Sequence, residues 1–142
     1  MLNKVEDLAV CQVLKIKNLS IMLDCGLKEK KTIEGLEQVA AFAKDSQILL
    51  LSHATIQHLG AFPYLQKRGY LTDMKVYTTS PSAKIGQISM FEYAIQNIEK
   101  DKKSPFFDML DIEAAFEHVN LVSFNETISF KGTLALSFRW RN

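Results

Sequence analysis

Ile48-Leu49-Leu50-Leu51-Ser52-His53-Ala54-Thr55-Ile56-Gln57-His58-Leu59-Gly60-Ala61 is the stretch on which the reading of this chain turns. A short, continuous apolar run ends in a polar loop. The run predicts a strand over 47–52 of the kind buried on both faces. The loop opens into a helical pattern, from about Gln57 to Arg68, with Leu59, Phe62 and Leu65 on one side and Gly69 at its end. Pro63 falls early in that helix, where proline costs least. Two histidines five positions apart, at the end of a strand and the mouth of a helix, are placed as metal ligands are placed. Thr55 and Gln57 stand between them, and neither is a good partner for zinc, which takes carboxylate, thiolate or neutral imidazole.

Outward from this loop the chain alternates strands and helices. Upstream, Leu8–Ile16 and Leu19–Leu23 read as a hairpin turning at Lys17-Asn18. Asp24-Cys25-Gly26 ends the second strand, with Gly26 expected to allow a sharp turn. Thr32 is placed to cap a helix in which Ile33, Leu36, Val39, Ala40 and Ala43 repeat at helical spacing. Downstream, the pattern predicts a strand over Met74–Thr78 and a long helix over 82–100, introduced by Ser80-Pro81. A polar break at 101–105 precedes a short helix over 111–118 and strands over 119–124, 127–130 and 134–138. Such alternation with terminal hairpins indicates an α/β layered domain.

Composition narrows the function classes. The 142 residues are 47% apolar and 23% charged, ordinary for a globular domain with one core. A net charge of +1 gives no electrostatic warrant for nucleic acid or an anionic membrane surface. No run reaches the roughly 18 uninterrupted apolar residues of a membrane helix, and the short run over 8–14 does not read as a signal peptide. Cys11 and Cys25 lack CxxC spacing and read as reduced, buried thiols of an intracellular protein.

Several of these motifs together resemble the metallo-β-lactamase/β-CASP superfamily, within it the group that processes RNA ends. That family's second motif is Ser-His-x-His-x-Asp-His-x-Gly-Ala, against Ser52-His53-Ala54-Thr55-Ile56-Gln57-His58-Leu59-Gly60-Ala61 here. Its first motif, an aspartate ending the second strand, is matched by Leu23-Asp24-Cys25-Gly26. Ala61-Phe62-Pro63-Tyr64-Leu65, Val76-Tyr77-Thr78-Thr79-Ser80-Pro81, Lys84-Ile85-Gly86-Gln87 with Met90, and Asp111-Ile112-Glu113-Ala114-Ala115-Phe116 extend the match along most of the chain.

The resemblance implies an α/β fold, the N-terminal half of an αββα sandwich. Residues 1–142 would form a partial domain, with the later ligand motifs and the inserted β-CASP domain absent. It also implies a degenerate metal motif at Asp24, His53, Thr55, Gln57 and His58, in which His53 and His58 match ligands and Thr55 and Gln57 depart from them. Thr55 supplies a neutral hydroxyl, and Gln57 can neither balance a dication nor take a proton from water. The expectation is a pseudoenzyme with no catalytic residue, no bound metal and no cofactor. Asp24 would keep a structural hydrogen bond at the strand end. The implied role is a nuclear, non-catalytic scaffold in pre-mRNA 3′-end cleavage and polyadenylation. Its partners would be the endonuclease subunit and other subunits of that complex, with pre-mRNA met through the complex and no membrane. A nuclease or hydrolase with a reduced zinc site, the degenerate subunit of the Integrator assembly, and a fragment with no independent function are the alternatives.

Plainer readings stand beside these. A histidine such as His58 near a helix start is more often a cap or packed side chain than a ligand. The Lys28–Lys31 run is most simply a solvated loop. Phe91, Tyr93, Phe106, Phe107 and Phe116 read as core or domain interface rather than a base-stacking platform. Half a sandwich leaves a sheet face uncovered, so the isolated chain is expected to be poorly soluble.

Overall fold

The computed structural model describes residues 10–27, 33–101, 106–130 and 134–139. Five strands form one sheet in the order of the chain: β1 (Gln12–Ile16), β2 (Leu19–Leu23), β3 (Ile48–Leu50), β4 (Lys75–Thr79) and β5 (Val119–Val122). The β1–β2 hairpin is antiparallel, with Leu14 opposite Ile21. Its two-residue turn needs Lys17 at φ 52, and Asn18 follows it. β2, β3, β4 and β5 then run parallel, each step crossing over through helix.

Those crossovers are α1 (Ile33–Lys44), α2 (Ile56–Leu59), α3 (Phe62–Lys67), α4 (Ser80–Asp101) and α5 (Met109–Glu117). Their apolar sides share one core with Met22, Leu49 and Val76 of the sheet; Leu36, Phe62, Leu65, Met90, Phe107 and Ile112 in it are fully buried. On the opposite face lies a second hairpin, β6 (Thr127–Phe130) and β7 (Leu134–Ser137). There Phe130 packs with Ile21 and Ile48, and its ring meets Tyr77 edge-on at 5.5 Å. β3 is buried on both faces, as its sequence predicts, since Ile48 and Leu49 enter different cores.

The structure departs from the sequence expectations at identifiable points. The helix expected over 57–68 is two short helices, broken where Gly60 and Ala61 lie tight against the chain following β2. α5 begins two residues earlier than expected because Asp108 caps it. Asp108 accepts from the Asp111 N–H at 2.9 Å and Asp111 accepts from the Asp108 N–H at 2.9 Å, a reciprocal box. Ile33 is 47% exposed, while Leu36, Val39, Ala40 and Ala43 of α1 are buried. The face opposite the helices is partly covered, by the β6–β7 hairpin, rather than bare. Thr32 and the Lys28–Lys31 run lie outside the described residues.

Candidate functional site

The loop after β3 is built by its neighbours. Residues 24–27, just beyond β2, run beside it and exchange a ladder of backbone hydrogen bonds. Asp24 N–H donates to Leu50 C=O at 2.9 Å, Cys25 N–H to His58 C=O at 2.7 Å, and Leu27 N–H to Ile56 C=O at 3.0 Å. Ala61 N–H returns to Cys25 C=O at 2.9 Å. Val10 closes the far side, donating to Gln57 C=O and accepting from Gly26 N–H, both at 2.8 Å. Every member of this ladder is a backbone group, so these bonds themselves require no particular side chain.

Gly26 is required here by space, not by the sharp turn expected of it. The residue in the left-handed region is Asp24, at φ 62, a conformation aspartate tolerates better than most residues. A Cβ on Gly26 would sit 1.7 Å from the Gln57 carbonyl oxygen, far inside van der Waals contact. Gly60 is similarly enclosed, 2.5 Å from both the Ile56 oxygen and the Leu27 Cβ. A Cβ on Gly86, in α4, would meet the tip of Leu59 at 2.7 Å. The Lys84–Gln87 and His58–Ala61 motifs are thus pieces of one packed contact.

Asp24 is 5% exposed, and both its oxygens are engaged by a single residue. Oδ1 accepts from the Ser52 N–H at 2.8 Å and Oδ2 from the Ser52 hydroxyl at 2.6 Å. This is the structural hydrogen bond expected at the strand end. The Ser52 oxygen also lies 2.7 Å from His53 Nδ1. A serine hydroxyl has one proton, and here it points at Asp24. His53 Nδ1 is therefore the donor to Ser52. The chain of contacts reads carboxylate, hydroxyl, imidazole.

His58 is held separately. Thr55 precedes α2 in extended geometry, yet its side chain makes no cap hydrogen bond. Its Oγ1 lies instead 2.7 Å from His58 Nδ1. The two imidazole rings face each other at 4.4 Å and 35°. Partial burial pushes the His58 pKa below that of an ordinary histidine; the Asp24 carboxylate opposes the shift and His53 reinforces it. The balance of these effects favours the neutral imidazole. Gln57 contributes its backbone carbonyl to the Val10 contact, and its side chain is exposed.

The structure thus joins Asp24 and His53 through Ser52, a residue with no role of its own in the sequence motifs, and sets them against the Thr55–His58 pair through the facing imidazole rings. Ser52 could have been found from its place between the apolar run and His53, where its hydroxyl can reach both. Among the described residues, no three histidine, cysteine, aspartate or glutamate side chains converge as a set able to hold a metal ion. The thiols close to Asp24 are free: burial, with the Asp24 charge, pushes Cys11 up to about 11, and burial pushes Cys25 well above its ordinary value. A cavity of about 270 Å³ opens beside the network, between Leu23, Leu50 and the Asp24–Ser52 pair on one wall and Leu136 and Phe138 on the other. His118 lies apart at the end of α5, its N–H bonded to the Ala115 and Phe116 carbonyls.

Residues 13–137 match the family model described as a metallo-beta-lactamase superfamily domain. The chain belongs to this superfamily. Among its relatives is a probable cleavage and polyadenylation specificity factor subunit 2 of Caenorhabditis briggsae, 30% identical over 129 residues, covering 91% of this chain and 15% of the relative. The Drosophila melanogaster protein of the same name is 31% identical over 121 residues, or 85% of this chain and 16% of the relative. A ribonuclease of Thermus thermophilus is 30% identical over 121 residues, 83% of this chain and 26% of that protein. The chain therefore spans about one-sixth of the length of the specificity-factor relatives it matches. Among the described residues, no helix is long and apolar enough to cross a membrane.

Proposed function

We propose that this chain belongs to a non-catalytic subunit of the nuclear machinery that cleaves and polyadenylates pre-mRNA, where it supports the endonuclease subunit and meets RNA through the complex. Similarity to proteins named specificity factor subunit 2 supports the choice of complex. One observation carries the loss of chemistry. The candidate donors of the loop are few: Asp24, both of whose oxygens are taken by Ser52, and the imidazoles of His53 and His58. At the two remaining motif positions, Thr55 and Gln57 bring no charge and no base. Catalytic zinc ordinarily has three protein ligands and a water, and a second ion demands more. This donor set does not fit a pair of zinc ions. What persists is the backbone ladder that gives the loop its shape, consistent with a fold kept as a surface for assembly.

Zinc titration of the purified chain with elemental analysis tests the reading. The expected result is no stoichiometric metal, and tight zinc gained when Thr55→His and Gln57→Asp are made together. Stoichiometric zinc in the unaltered chain, lost on His53→Ala or His58→Ala and accompanied by RNA hydrolysis, overturns it. Affinity purification tests the choice of complex separately. Recovery of the cleavage and polyadenylation endonuclease is expected, and recovery of Integrator subunits in its place rejects that assignment.

A further inference from the structure

The solvent side of α4 carries a pattern that its packing does not explain. Ile85 is 56% exposed, Ile88 58% and Ile95 46%, and Pro81, Lys84 and Glu92 are exposed with them. At about 100° per residue these six positions fall within an arc of roughly 100°, a single stripe centred near Ile88. Isolated exposed aliphatics are ordinary, but three isoleucines grouped on one helix face, with Lys84 and Glu92 set among them, are not. Lys84 and Glu92 lie about 12 Å apart along the axis, too far to pair with each other. Neither makes an ion pair among the described residues, where the ion pair is Arg68 with Glu37.

We propose that the chain self-associates through α4, two copies packing antiparallel about a two-fold axis that passes Ile88. The occupant is identified by charge and by spacing. Lys84 and Glu92 lie four residues either side of Ile88, so the two-fold sets Lys84 of each copy against Glu92 of the other. The same operation sets Ile88 on Ile88, Pro81 on Ile95, and Ile85 on the half-buried Phe91. Apolar groups meet apolar groups and each cation meets an anion, as a self-complementary two-fold interface requires. An unrelated helix would have to supply this pattern by design, whereas the chain already contains it. One helix pair covers less than the roughly 1,200 Å² of a standard stable interface, so the dimer is weak and depends on concentration.

Sedimentation equilibrium of the 142-residue chain across a concentration series tests this, with circular dichroism confirming that each variant keeps its helices. The dimer fraction should rise with concentration and vanish in Ile88→Glu, which puts two like charges on the axis. Lys84→Glu and Glu92→Lys should each raise the dimer Kd about threefold to tenfold. The combined charge exchange should return it to the unaltered value. A chain that stays monomeric throughout, as expected if the strip serves a different helix, overturns the proposal. So does association that survives Ile88→Glu, or a combined variant no better than either single one.

Discussion

On one face of the five-stranded sheet, Met22, Leu49 and Val76 lie beneath five helices; on the other, Ile21 and Ile48 are covered by one two-stranded hairpin. Leu14, on that second face opposite Ile21, is 44% exposed. The difference lies in what each cover brings. A helix presents a stripe of apolar side chains over several turns, and the helices also bury one another, as with Phe62 edge-on to Phe116 at 5.2 Å. The hairpin offers Ile128, Phe130 and Leu136, and the cavity beside Asp24 opens where its cover ends. The histidine loop belongs to the better-packed side, since Leu59 and Ala61 are part of the helix-side core. The loop that carries His53 and His58 is thus anchored in the more completely packed of the two cores.

The contrast can be broken most sharply in the helix-side core. Phe62→Ala, at a fully buried position, should cost about 3–5 kcal/mol in chemical denaturation and lower the whole transition. Gly26→Ala should cost about 3 kcal/mol, because the new methyl must displace the Gln57 carbonyl. Hydrogen exchange at the amides of Cys25, Leu27 and Ala61 should accelerate with it, and unchanged protection there would mean that the loop does not depend on this contact. On the hairpin side, Phe130→Ala should cost about 3 kcal/mol, the low end for a buried phenylalanine, because its surroundings are less complete. Exchange should show β6 and β7 opening while β2, β3 and β4 stay protected; a single cooperative loss would erase the distinction between the faces.

The smallest effect is a pH dependence. His58 is harder to protonate in the folded chain than in the unfolded one, through burial first and then the adjacent His53. The unfolded state therefore takes up more protons as pH falls through the ordinary histidine range, about 6.5, and stability declines from there downward. Thermal melts between pH 7.5 and roughly 5 should show a lowered Tm, with a shallower slope in His58→Gln. An identical slope in that variant would place the titrating group elsewhere.

The sequence made the order of strands and helices legible because each element carries its own period: the apolar run into Ser52, and Leu36, Val39, Ala40 and Ala43 at helical spacing. The candidate loop was legible for the same local reason, as Asp24, His53 and His58 sit in recognisable motifs. Element ends were less so. Asp108 caps α5 through a contact that depends on the fold of its own turn, and Gly60 breaks a helix whose periodicity runs on through it. Sequence spacing carries no information about which side chains satisfy which.

Residue identities alone determined that the chain alternates β and α segments, and that Thr55 and Gln57 stand between the two histidines of the loop. Only the tertiary structure decided that Ser52 takes both oxygens of Asp24, that Thr55 turns to His58, and that Gly26 is needed for room rather than for rotation. The first and last of those outcomes depend on segments more than twenty residues apart being pressed into contact. That proximity is produced by burying the helix-side core, and no local preference of the chain contains it.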